Sequence, residues 1–330
     1  MPELRYNPLL DTWTMVADNR QNRPNLDPSY CPFCPSSGKV PAEYTVLSYP
    51  NDFPALSTSP PEPRHFASSQ IYRTAESYGS CEVILFSSSH DASLWELPLE
   101  HIVSLLELIG QRCRALAADA RIKYLFPFEN RGEAVGVTML HPHGQLYAYP
   151  FVPLKIETEL RNARKHYETT GVNLFEQMIS EERADGRRII AENAHFIAFI
   201  PFFTDYPFGV FIVARRPRVW AWEFEGDEQR DLAAILKLVT TAFDALYHER
   251  FPYMMCWHQA PVNREPNHDD QSTDEAYRDY YRFHIQFYPP FRAKGVIKHN
   301  ASSETGAWAA ANTRAVEDTA AELRAAIGQG

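Results

Sequence analysis

The sequence predicts an α+β fold built from two copies of one unit, with antiparallel strands that form one long sheet flanked by helices. A strand, an amphipathic helix and a strand of pattern His-x-Gln-x-Tyr recur in the same order, about 140 residues apart. His143-Gly144-Gln145-Leu146-Tyr147 stands against His284-Ile285-Gln286-Phe287-Tyr288. The composition agrees, since a chain of 330 residues that is 45% hydrophobic and 22% charged can bury a substantial core.

The elements follow in order. The halves span residues 1–156 and 187–330, with a connecting helical segment over 157–186. The first 56 residues are rich in turn formers, with short strand-like runs at 13–16 and 44–47. After Pro60-Pro61 comes an apolar strand at 82–86. Ile102, Leu105, Leu106, Ile109, Cys113 and Leu116 then recur at three- and four-residue steps, which predicts a helix. Tyr124-Leu125-Phe126, a loop containing Gly132 and Gly136, and the His-Pro-His strand complete the first copy. In the second copy, strands at 196–200 and 209–213 precede a helical stripe of Leu232, Ile235, Leu236, Val239, Phe243 and Leu246. Met254-Met255-Cys256-Trp257 and the run from Phe283 to Pro290 finish it. The connector is charged and helix-permissive to Arg183, with a turn at Asp185-Gly186, and 315–327 is a terminal helix.

Net charge −10 and a pI near 5.7 leave no electrostatic footprint for nucleic acid or an anionic membrane. No run approaches the roughly 20 apolar residues of a membrane span, and the opening residues do not resemble a signal peptide. Five cysteines, three of them isolated in apolar surroundings, suit a reduced, cytoplasmic setting.

The chemistry centres on His141-Pro142-His143-Gly144-Gln145. In an extended strand, His141, His143, Gln145 and Tyr147 share one face, with neighbours roughly 7 Å apart. One imidazole can then be held while the next reacts; the plain alternative is a sheet edge with two half-buried histidines. Cys31-Pro32-Phe33-Cys34 suits a tight knuckle presenting two thiolates to a metal. Pro35-Ser36-Ser37-Gly38 disfavours the helix that follows a redox pair, though redox use and an unliganded turn stay open. Four ligands close a structural zinc site, so two histidines must come from elsewhere, and His90 and His141 are the candidates.

His143 is then the candidate nucleophile, since a neutral imidazole of pKa about 6.5 attacks phosphorus without a separate base. A sugar 1-phosphate is a weakly basic leaving group, and no general acid is needed. In-line placement and donors to the non-bridging oxygens are needed. Gln145, Thr138 and the backbone near Gly136 are candidate donors, and Arg20 and Arg23 can balance charge. Surface solvation of the two arginines, and a strand hydrogen bond for Gln145, are the plain alternatives. Only the first copy carries the extra histidine and Gly144, so it reads as the working half.

These residues resemble the galactose-1-phosphate uridylyltransferase family of the histidine-triad superfamily. The His-Pro-His-Gly-Gln strand is accompanied in order by Arg20-Gln21-Asn22-Arg23-Pro24, Cys31-x-x-Cys34, Asn51-Asp52-Phe53-Pro54-Ala55-Leu56 and Phe86-Ser87-Ser88-Ser89-His90. Glu129-Asn130-Arg131-Gly132, Trp257-His258-Gln259-Ala260-Pro261 and Phe287-Tyr288-Pro289-Pro290 follow. The resemblance implies that His143 takes UMP from UDP-glucose as a covalent uridylyl-histidine and passes it to galactose 1-phosphate in a ping-pong exchange. It implies zinc on Cys31, Cys34, His90 and His141, and nucleotide contacts from Arg20, Arg23, Asn51, Asp52, Phe53, Asn130, Thr138 and Gln145. It also implies a homodimer, in which Lys298, His299 and Glu304 reach the sugar phosphate in the partner's site.

The family's second metal site, for iron or zinc, uses one glutamate and three histidines. Glu159, His258 and His284 match it, but Gln286 stands where the third histidine belongs. An amide is a weaker ligand than imidazole, which argues against a metal there. His299 and Asn300 replace apolar residues beside the expected sugar pocket, which leaves the acceptor open. The alternatives are the same chemistry with another base or acceptor, including phosphate as in a nucleotide-sugar phosphorylase, or a silent zinc-stabilised nucleotide-binding protein.

Overall fold

The computed structural model describes residues 2–18, 30–64, 69–264 and 275–328. Two small strands, β1 (Glu3–Asn7) and β2 (Thr12–Val16), pair antiparallel near the N-terminus. They are followed by β3 (Leu47–Pro50), β4 (Thr74–Ala75), β5 (Ser80–Leu85), α1 (Leu99–Ala117), β6 (Tyr124–Arg131) and β7 (His143–Tyr149). Next come α2 (Leu154–Thr170), α3 (Leu174–Asp185), β8 (Ile189–Glu192), β9 (Phe196–Phe199), β10 (Phe211–Ala214) and α4 (Asp227–Tyr247). The chain ends with β11 (Tyr253–His258), α5 (Tyr277–Tyr280), β12 (His284–Tyr288), β13 (Phe291–Ala293), β14 (Val296–Ile297) and α6 (Val316–Ile327).

Among the described residues, nine strands form one antiparallel sheet in the order β3-β5-β7-β6-β11-β12-β10-β9-β8. The halves join where β6 pairs with β11, with Phe128 opposite Cys256. Phe128 also lies opposite Gln145, and Cys256 opposite Gln286. Further out, Val83 faces Gln145 and Phe211 faces Gln286. A local twofold therefore passes between Phe128 and Cys256 and superposes β7 on β12, His143 on His284 and Gln145 on Gln286. The duplicated α+β sheet is as the sequence predicts.

The apolar stripes put α1 and α4 on the same face of this sheet. Ile102, Leu105, Leu106, Ile109 and Cys113 of α1, and Leu232, Ile235, Leu236, Val239 and Phe243 of α4, are buried. They pack in one core with Leu146, Ala148, Ile285 and Phe287, and the Phe243 and Phe287 rings lie 5.4 Å apart. Alternation along each strand sends His143, Gln145, His284 and Gln286 to the other face. No described helix is long and apolar enough to cross a membrane.

Three elements differ from expectation. The connector is two helices, because Gly171 adopts a left-handed conformation (φ 71°) and Asn173 caps α3 through bonds from the Phe175 and Glu176 amides. Strand β3 starts at Leu47, not Tyr44, whose hydroxyl is bonded to the Phe33 carbonyl at 2.7 Å. His141 precedes β7 instead of starting it, since its fully buried ring turns to the cysteines.

Candidate active site

The first ligand cluster is assembled from three distant segments. Cys31 Sγ lies 3.6 Å from His141 Nδ1, and Cys34 Sγ lies 3.4 Å from His90 Nδ1 and 3.7 Å from His141 Nδ1. Bond lengths of about 2.3 Å to sulfur and 2.0–2.1 Å to nitrogen put tetrahedral S···N separations near 3.5 Å, so the donors fit zinc. His141 Nε2–H donates to the Ser87 carbonyl at 2.8 Å, with the Tyr44 hydroxyl at 3.0 Å. That fixes the tautomer with the Nδ1 lone pair toward the sulfurs. Burial lowers the His141 pKa, and burial together with Cys31 raises that of the Cys34 thiol. A bound cation offsets the cost of the thiolates.

His141 ties this cluster to the nucleophile candidate. Its carbonyl accepts the His143 Nδ1–H at 2.7 Å, so His143 Nε2 carries the lone pair. Gly144 is demanded by close packing: a Cβ there would meet the Phe128 carbonyl oxygen at 2.8 Å and the Phe86 ring at 3.1 Å. Asn51 donates to Gln145 Oε1 at 3.3 Å. An Asx turn, Phe53 N–H to Asn51 Oδ1 at 2.9 Å, shapes the adjoining loop.

These side chains line a cavity of about 550 Å³, within the usual range for a small-molecule site. Asn51, Asp52, Phe53, Asn130, His143 and Gln145 all lie on its wall, with Phe33, Val83, Phe128 and Tyr147 giving apolar surface. Thr138 does not: it is exposed in the segment before β7, and its neighbour Met139 lines the cavity instead. Arg20 and Arg23 lie outside the described residues. Lys39 is a wall residue that the sequence reading missed, ion-paired to Asp52 at 2.9 Å. Its signal was a lone cation just after the cysteine knuckle.

Lys298, His299 and Glu304 do not line this cavity. Lys298 is nearly buried, bonds Asn300 Oδ1 at 3.0 Å and lies 4.0 Å from Glu304, while Asn300 donates to the Tyr206 hydroxyl at 3.1 Å. The second cluster is brought together: Glu159 Oε2 lies 2.8 Å from His258 Nδ1 and 3.8 Å from His284 Nε2. Burial lowers the His284 pKa to about 3, with His258 adding to the effect, so the ring is neutral. Burial raises the Glu159 carboxyl, but its interaction and hydrogen bond with His258, together with Lys155, outweigh it and keep it ionised.

The family models for galactose-1-phosphate uridyl transferase match residues 1–153 with the N-terminal domain and 159–300 with the C-terminal domain. The chain belongs to the galactose-1-phosphate uridylyltransferase family. The enzyme of that name from Thermotoga maritima is 38% identical over 326 residues, covering 98% of each chain. The Haemophilus influenzae enzyme is 30% identical over 90% of this chain and 86% of its own. A solved uridylyltransferase superposes with a TM-score of 0.86 at 30% identity over 99% of both chains. An ADP-glucose phosphorylase from Arabidopsis thaliana shares the fold, with a TM-score of 0.73 at 23% identity over 98% of this chain and 99% of its own. Membership makes the chain a transferase of galactose metabolism that moves a UMP group.

Proposed function

We propose that the chain exchanges UMP between UDP-glucose and galactose 1-phosphate through a covalent uridylyl-histidine. The observation that carries this reading is the bond from His143 Nδ1–H to the His141 carbonyl, at the wall of a nucleotide-sized cavity. His143 Nε2 attacks the α-phosphorus, an N–P bond forms, and the bond to the β-phosphate oxygen breaks to release glucose 1-phosphate. The ring becomes cationic, and the His141 carbonyl stabilises its Nδ1–H. The Gln145 amide N–H donates to a non-bridging oxygen, while Asn51 holds its carbonyl end. The phosphate oxygen of galactose 1-phosphate then attacks the same phosphorus and the N–P bond breaks.

Zinc on Cys31, Cys34, His90 and His141 is structural in this reading. It anchors the residue whose carbonyl sets the His143 tautomer. Asp52, Phe53 and Asn130 contact the nucleotide. Lys298, His299 and Glu304 serve the site of a partner copy in a homodimer, a reading supported by their absence from the wall of their own chain's cavity. Mixing His143→Ala with Lys298→Ala protein tests this, since one competent site per mixed dimer restores part of the activity. Separate sites within each chain leave the mixture inactive.

The deciding experiment incubates the protein with UDP-glucose labelled in the β-phosphate and no acceptor. Stoichiometric labelled hexose 1-phosphate is expected; no release in the absence of acceptor overturns the covalent route. A panel of galactose 1-phosphate, other hexose 1-phosphates and inorganic phosphate then separates uridylyl transfer from phosphorolysis.

A further inference from the structure

The second cluster is built differently from the first. Gln286 Nε2 lies 3.2 Å from Glu159 Oε1, 3.4 Å from His258 Nδ1 and 2.9 Å from His284 Nε2. Three groups of metal-ligand type therefore converge on an amide nitrogen. We propose that the Gln286 amide is the permanent occupant of this centre, with the Lys155 ammonium as its cation, so that the cluster is a metal-free lock between α2 and the sheet.

Lys155 decides which way the amide points. Its Nζ donates to Gln286 Oε1 at 3.0 Å, and the Tyr288 hydroxyl donates to the same oxygen. An ammonium has no acceptor, so turning the amide over would set N–H₂ against N–H₃⁺. The N–H₂ end must face the cluster, and an amide nitrogen offers a metal no usable lone pair. The histidine is set to receive it: His284 Nδ1–H donates to the Arg282 carbonyl at 2.9 Å, which leaves Nε2 as an acceptor.

Charge agrees with this arrangement. Lys155 and Glu159 lie one turn apart on α2 and so present a positive and a negative group on one helix face. The Tyr281 hydroxyl also bonds Glu159 Oε2 at 3.1 Å. The interior polar groups are thus satisfied by one another, as buried groups must be. A divalent cation entering here would have to expel the amide and sit beside a fixed ammonium.

The test is elemental analysis of the full chain produced with zinc and iron in excess. At most one metal per chain is expected, lost in Cys34→Ser and kept in Glu159→Gln. An equivalent kept in Cys34→Ser but lost in Glu159→Gln overturns the proposal, as do two equivalents in the unaltered protein. A metal-free protein would remove the zinc reading of the first cluster and leave this one standing. The double variant Lys155→Met, Gln286→His removes both blocks and is expected to gain one equivalent. A correctly folded double variant, judged by circular dichroism, that gains none would also count against it.

Discussion

The two halves offer the same strand pair to the same face of the sheet and differ in what lies over it. Over β7, loops from residues 30–53 leave a cavity, and His143 and Gln145 face into it. Over β12, α2 and α3 close the face: the Phe175 ring sits 4.9 Å from that of His284, and Glu159 bonds His258. The same His-x-Gln strand lines an open cavity in one half and lies in a buried polar cluster in the other. Chemistry is thus set less by the strand than by its cover, since an imidazole without access to substrate can only pack and hydrogen-bond.

The sharpest way to break this comparison is to remove the equivalent histidines. His143→Ala is expected to cut uridylyl transfer by at least about 10³-fold with little change in melting temperature. His284→Ala is expected to keep hexose 1-phosphate release while losing on the order of 2–4 kcal/mol of stability, through a cavity and one Gln286 amide N–H left without its acceptor. Burst assays and denaturant melts on both variants check this; equal loss of activity in the two would abolish the distinction between halves. Chelator treatment, or Cys34→Ser, is expected to lower stability by several kcal/mol and to slow the burst, because His141 belongs to the cysteine cluster and its carbonyl holds the His143 ring.

Smaller effects sharpen the picture. Gly144→Ala pushes a methyl against the Phe128 carbonyl and the Phe86 ring, and is expected to cost roughly 1–3 kcal/mol and to disturb His143. Its counterpart Ile285→Val trims a fully buried side chain and is expected to cost about 1 kcal/mol with no kinetic effect. Comparing urea midpoints with burst amplitudes tells the two apart.

Glu129 and Trp257 form the last equivalent pair, across the twofold. Burial pushes the Glu129 carboxyl up to about 7 from an ordinary 4.5, although Arg131 and a bond from the Tyr253 hydroxyl pull it down. The folded protein retains a proton that the unfolded chain releases, so stability falls as pH rises from 4.5 toward 7. Glu129→Gln keeps the acceptor for Tyr253 without titrating. Its stability relative to the parent is expected to be higher at pH 8 than at pH 5 by about 1–3 kcal/mol, read from melts at both values. An equal difference at the two pH values would show that the carboxyl does not titrate in this range.

Much of this was legible before any coordinates. The repeat of His143-Gly144-Gln145 and His284-Ile285-Gln286, the helical stripes of α1 and α4, and the cysteine knuckle are local patterns, and local patterns carry periodicity and ligand type. The break at Gly171 was legible in principle, since a glycine followed by Asn173 is a cap signal inside a charged helix. Thr138 is a candidate donor to the phosphoryl oxygens by its place just before the His-Pro-His strand, but it is exposed and does not line the cavity, where its neighbour Met139 does.

The sequence by itself determined which residues are of a kind to bind zinc, attack phosphorus and repeat as a unit. Only the tertiary structure decided that His141 and His143 are joined through a carbonyl, that Lys39 enters the cavity, and that Lys155 turns the Gln286 amide inward. Each of these depends on a distance or a hydrogen-bond direction between segments far apart in the chain. Residue order encodes chemical type and spacing along one element, whereas a donor's partner is fixed only when the sheet brings remote backbones into register.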